Sequence, residues 1–113
     1  MRLLKNISFL FPIVILTVIV TTNSYAQISQ SDALQGVEQL RSNGVILSIS
    51  LLDEKMMYVT VSREFYNMTA REKRLFGGLL SLAYPKKFIT VADAYTEKLV
   101  LSILPNGYTR IIK

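Results

Sequence analysis

Apolar positions fall along this chain in three rhythms, and each predicts a different element. From Ile7 to Val20 they run almost without a break, interrupted only by Ser8, Pro12 and Thr17. Next, Ala33, Val37 and Leu40, with Leu34 beside them, recur at helical spacing. Ser31 or Asp32 is placed to cap this helix, after a frayed Gln27–Gln30 segment, and Arg41 and Asn43-Gly44 mark its end. At Val45 the period drops to two. Val45, Leu47, Ile49 and Leu51 share one face of a strand, and Ile46, Ser48, Ser50 and Leu52 share the other, half-polar face. After a turn at Asp53-Glu54-Lys55, Met57, Val59 and Val61 alternate with Tyr58, Thr60 and Ser62, which predicts a hairpin.

Beyond the bulky connection Arg63–Met68, Thr69-Ala70-Arg71-Glu72 spells a capping box. The Thr69 hydroxyl can accept the Glu72 amide, and the Glu72 carboxylate can reach back to the Thr69 amide. Leu75, Phe76, Leu79, Leu80, Leu82 and Ala83 then form a helical apolar stripe that Tyr84-Pro85 ends. Gly77-Gly78 interrupts this helix at about 1 kcal/mol each. A pair of glycines there predicts a close approach of the helix backbone to a neighbour. Strands follow at Phe88–Asp93, Lys98–Leu104 and Tyr108–Ile112, the last two joined by a Pro105-Asn106-Gly107 turn. The pattern predicts an α+β fold in the order α-β-β-α-β-β-β. Two helices pack on a four- to five-stranded antiparallel sheet, through Val45/Leu47/Ile49/Leu51, Met57/Val59/Val61 and Leu99/Leu101/Ile103.

The first apolar run carries an address. Arg2 and Lys5 precede it, and Ser24-Tyr25-Ala26 sets small residues at −3 and −1 before Gln27. The run is shorter than the ~20 residues that cross a bilayer. Residues 1–26 are therefore expected to be a signal peptide cleaved between Ala26 and Gln27, and 27–113 a single small domain in the bacterial periplasm or exterior. Without cleavage the run would hold the domain at the membrane. Loss of Arg2 and Lys5, with no acid, lowers the formal net charge from +5 to +3. That weakens any case for a nucleic-acid partner. The chain has no cysteine, so this exported domain has no disulfide staples and folds on packing alone.

Histidine is also absent, which removes the commonest general base and metal ligand. Ser-His-Asp and Cys-His catalysis and zinc sites built on His or Cys are excluded. Asp53 and Glu54, and Asp93 and Glu97, fall in or beside turns, where acids commonly serve turn chemistry. A small hydrolase would need Asp93 or Glu97 to face a concave site. No cofactor or metal motif is present.

The densest charge is basic: Arg63, Arg71, Lys73, Arg74, Lys86 and Lys87, interleaved with Phe65, Tyr66, Phe76 and Tyr84. One reading is a solvated helix face with aromatics anchoring it to the sheet. The other is a binding surface at Arg63, Tyr66, Arg71, Lys73 and Arg74. Cations in the first turns of a helix oppose its dipole by a few tenths of a kcal/mol, which suggests a role beyond helix stability. The expected function is a non-enzymatic interaction module with an envelope or secreted protein partner, or a second copy through an exposed strand edge. The alternative is direct binding of polyanions or lipid headgroups.

Tyr58-Val59-Thr60-Val61-Ser62, Phe65-Tyr66, Lys73, Val91-x-Asp93 and Gly107 together resemble small uncharacterised exported bacterial domains. Those pair a V-x-V strand and an aromatic loop with a lysine-bearing helix and a terminal hairpin. The order of elements is also similar to roadblock-like and profilin-like folds. Neither resemblance implies an activity or a catalytic residue.

Overall fold

A computed structural model describes residues 29–113. The proposed signal peptide and its Ala26/Gln27 cleavage site lie outside the described residues. The elements are α1 (Gln30–Ser42), β1 (Ile46–Leu51), β2 (Met56–Val61), a 3-10 helix (Arg63–Asn67), α2 (Ala70–Ala83), β3 (Phe88–Asp93), β4 (Leu99–Ile103) and β5 (Thr109–Ile111). The expected α+β order is therefore present.

The five strands lie in sequence order, β1-β2-β3-β4-β5. Three neighbouring pairs are antiparallel, and β2–β3 is parallel. The sheet is thus mixed where a wholly antiparallel one was expected. The reason is the connection. A hairpin turn reverses the chain, whereas α2 carries it back to the end of the sheet from which β2 started, which is what a parallel neighbour requires.

Register shows how the core is built. Ile49, Val59, Val91, Leu101 and Ile111 stand opposite one another across all five strands. This inner face joins Ala33, Val37 and Leu40 of α1 and Phe76, Leu79, Leu80 and Ala83 of α2 in one buried cluster. Each buried Val or Leu contributes about 1.5–3 kcal/mol relative to exposure. Both helices therefore cover the same side of the sheet. Gln30 Nε2 ties the start of α1 to the Ala83 carbonyl of α2 at 3.1 Å.

The helix caps divide. The Thr69–Glu72 capping box forms as read: Glu72 N–H donates to Thr69 Oγ1 at 3.1 Å, and Thr69 N–H donates to Glu72 Oε1 at 2.8 Å. At α1 the cap is Ser29, not Ser31 or Asp32. Its hydroxyl accepts the Asp32 amide, and Asp32 sits in the first turn, where a negative charge suits the dipole.

Strand faces are corrected at two bulges. In β1 the register shifts between Ile46 and Ser48, so Ile46 is buried while Leu47 is exposed. Leu51, expected in the core, lies at the turn end of the hairpin and is 62 % exposed. In β4 the register shifts opposite Val91/Ala92. Ala92 pairs with Leu99, Val100 is the extra residue, and Val100 is buried where Leu99 is not. An inserted residue resets a period of two, and strict alternation cannot anticipate it.

Candidate interaction surface

The Arg63–Tyr66 connection is a 3-10 helix capped by Ser62, whose hydroxyl accepts the Glu64 amide. Phe65 is its anchor. It is fully buried and meets Phe76 edge-on at 5.6 Å and Tyr66 at 6.0 Å. Tyr66 keeps its ring partly exposed and donates its hydroxyl to Asp93 Oδ2 at 2.7 Å. Arg63 lies over the ring of Tyr95, with its guanidinium carbon 5.7 Å from the centroid.

Asp93 is the one buried charged residue among those described. Its Oδ1 accepts the Tyr95 amide at 2.7 Å and the Thr96 amide at 3.2 Å, closing the β3–β4 turn. The Tyr66 hydroxyl, with the Tyr95 amide next in weight, holds the Asp93 carboxyl below its usual range. Donation to that carboxylate, with desolvation, raises the Tyr66 phenol above its ordinary value. A general acid near neutrality needs a raised carboxyl pKa. Asp93 is shifted the other way, and protein donors occupy both of its oxygens. Asp53 is likewise committed to its turn, accepting the Lys55 and Met56 amides. Among the described residues no group of three or more His, Cys, Asp or Glu is placed to hold a metal, and no buried side-chain polar atom lacks a partner.

The remaining basic residues part company. Lys73 lies 5.2 Å from the Phe65 ring centroid and donates to the Lys113 carbonyl at 2.8 Å, so it tacks the C-terminal segment to α2. Arg71 is exposed in the first turn of α2. Arg74 borders an open groove of about 510 Å³ along the free edge of β5, with Gly107, Tyr108, Thr109, Arg110 and Ile111. Tyr66 and Lys73 are thus occupied by intramolecular contacts, while Arg63 joins Tyr95 and Arg74 joins β5. Arg110 beside Arg74 was not anticipated, because β5 is docked on α2 by the fold and not by chain proximity.

The largest feature missed by reading the chain alone is the outer face of the sheet. Ser50, Tyr58, Thr90, Ser102 and Arg110 stand opposite one another across all five strands, forming a polar row. One step toward the β1–β2 turn lies an apolar row. Leu52 N–H donates to the Met56 carbonyl and Leu104 N–H to the Tyr108 carbonyl, both at 2.9 Å, extending two ladders by one pair. Met56 faces Phe88, and the β3–β4 register brings Phe88 opposite Leu104. Leu52, Met56, Phe88, Leu104 and Tyr108 therefore line up from edge to edge, each between 38 % and 62 % exposed. On the other side of the polar row lie Ser48, Thr60, Ala92 and Leu99 in register, with the Ser48 and Thr60 hydroxyls bonded to each other. Both helices pack on the opposite side of the sheet. No helix of the described residues is long and apolar enough to cross a membrane. Comparison of the chain with protein-family models, with curated proteins and with solved structures finds no match.

Proposed function

We propose that this chain is an exported, non-enzymatic interaction module of the bacterial periplasm or exterior, and that it engages a protein partner through the outer face of its sheet. The observation that carries this reading is the five-residue apolar row Leu52-Met56-Phe88-Leu104-Tyr108, exposed on a face that neither helix covers. A contiguous apolar strip of this kind on a small soluble domain marks an interaction surface. The row runs across all five strands, and only its β5 end borders a groove, an extended arrangement that suits a macromolecular partner better than a small substrate.

The test is site-specific photo-crosslinking in cells that export the chain. A photoreactive side chain at Phe88 or Tyr108 is expected to give adducts, and one at Glu38 on the exposed side of α1 none. Absence of adducts from the sheet face overturns the reading. N-terminal sequencing of the recovered protein should find Gln27 first. Met1 would instead place the domain at the membrane.

A second reading has its own observation. Arg74 and Arg110 border one groove, and among the described residues the one side-chain ion pair is Arg41–Glu38. A polyanion or anionic headgroup would find Arg74, Arg110 and exposed Arg71 free of carboxylates. Such binding would weaken steeply between about 50 and 200 mM salt, while docking on the apolar row would not.

A further inference from the structure

Resting on the sheet-face reading, we infer that the occupant of this face is a second copy of the chain, packed face to face about a two-fold axis that runs along β3. Four observations lead there.

The first is electrical. In the three outer rows the one charged residue is Arg110. A face with so little charge gives a charged ligand or a charge-selected partner almost nothing to read, and it costs little to desolvate against itself.

The second is symmetry. β3 is the middle strand of five, and Phe88 and Thr90 are the middle residues of the apolar and polar rows. A two-fold along β3 sets Phe88 on the partner's Phe88, Met56 on the partner's Leu104 and Leu52 on the partner's Tyr108. Apolar side chains thus meet apolar side chains along the whole row, as a self-complementary interface requires. It also sets Thr90 on the partner's Thr90 and Ser50 near the partner's Arg110. The other face-to-face two-fold, along the rows, would lay Arg110 on the partner's Arg110 and the apolar row on Ser48 and Thr60. Charge and apolarity therefore choose the axis along β3.

The third is area. Five strands about 4.8 Å apart span about 24 Å, and the two exposed rows about 6.8 Å apart cover about 14 Å, or about 330 Å² of flat face per copy. The third row adds little, because Ala92 at its centre is fully buried. The two copies together stay below the ~1,000 Å² of stable specific interfaces, in the range of weak, transient encounters. The expected dimer is weak and concentration-dependent, with sheets stacked ~10 Å apart and strands within ~30° of each other.

The fourth is the absence of cysteine. Oligomerisation is one of the routes by which small domains without disulfides gain stability.

The experiment is sedimentation equilibrium of the exported protein from low micromolar to near-millimolar concentration. Wild type should pass from monomer toward dimer, and Phe88→Asp should remain monomeric while keeping its circular dichroism spectrum, because Phe88 is already exposed. Ser50→Glu is the decisive variant. Within one copy Ser50 and Arg110 stand on opposite edges of the sheet, so a new carboxylate at position 50 reaches the arginine only of the partner. Two symmetric pairs then form, and the dimer should tighten by about fivefold, whereas Ser50→Lys should loosen it. A monomer at every concentration, or a Ser50→Glu dimer no tighter than wild type, overturns the inference. Mass analysis of the photo-crosslinked product keeps the two readings apart. An adduct of twice the chain's mass supports the dimer, an adduct with a different chain leaves the sheet-face reading standing and defeats the second copy, and no adduct defeats both.

Discussion

Replacing Gly77 and Gly78 one at a time by alanine tests how α2 is seated on β5. The two glycines are neighbours in the same helix interior, so the gain in helix propensity, about 1 kcal/mol, is common to both. Their surroundings are not. A Cβ on Gly77 would lie 2.2 Å from Thr109 Oγ1, 2.5 Å from Cγ2 and 2.9 Å from Cβ, whereas one on Gly78 would meet nothing within 4 Å. Overpacking of this kind costs about 1–3 kcal/mol. In the difference between Gly77→Ala and Gly78→Ala the helix contribution cancels, leaving about 1–3 kcal/mol in favour of Gly78→Ala. For a domain of this size each kcal/mol moves Tm by about 4–8 °C. Thermal unfolding followed by circular dichroism should place Gly78→Ala above wild type and Gly77→Ala at least about 4 °C below Gly78→Ala. Thr109→Ala removes the two nearest atoms, so in the Gly77→Ala background it should restore part of the loss, a coupling above about 0.5 kcal/mol in a double-mutant cycle. A Gly77→Ala protein as stable as Gly78→Ala would refute the close approach.

Three further outcomes are expected. Thr69→Ala, which removes one half of the capping box, should cost about 1 kcal/mol in urea unfolding, and no change in midpoint would show that the cap is idle. The lowered pKa of Asp93 gives the folded state stability that is present above the ordinary carboxylate value of 3.8 and lost as pH falls through the folded value. Asp93→Asn should therefore flatten the acid limb of the stability curve below about pH 4. Tyr66→Phe should move the Asp93 titration, followed by carboxyl NMR, upward, and an unmoved titration would mean that the 2.7 Å bond contributes nothing. Glu97 sits at φ 62, a left-handed conformation that costs an L residue about 1–2 kcal/mol. Glu97→Gly should stabilise by up to about 1 kcal/mol once glycine's own entropy is counted, and a lowered urea midpoint would contradict this.

Local chemistry was legible in the sequence, and spatial assembly was not. The Thr69–Glu72 box, the Phe76/Leu79/Leu80/Ala83 part of the α2 stripe and the Met57/Val59/Val61 face depend on residues within one turn or one strand, and these are found as read, while Leu82, placed in the same stripe, is exposed. The capping serine of α1 was displaced to Ser29 because several candidates stand in a row and only the fold selects among them. Leu47 and Leu99 were assigned inward because alternation hides a bulge. Phe65 was open to two readings, anchor or binding surface, and it is an anchor in the core, which the chain alone could not decide because Phe76 reaches it only after α2 has folded back. The outer apolar row needs the order and register of all five strands before Leu52, Met56, Phe88, Leu104 and Tyr108 become neighbours. No spacing along the chain connects them.

The parallel pairing of β2 with β3 has a kinetic consequence. It divides the described chain into two contiguous stretches, one with α1, β1 and β2, the other with α2, β3, β4 and β5. Within each stretch the strands pair through short connections and form quickly. Met56 meets Phe88, and Val61 meets Asp93, only after the whole intervening connection has been closed, and such distant pairings set the pace of folding. The seam is then the slow step. Truncating Val59 or Val91, which face each other across it, should slow refolding more than it speeds unfolding. Weakening the β4–β5 ladder should do the reverse. The helix that makes the parallel pair possible is also what makes this small domain wait for its two halves to meet.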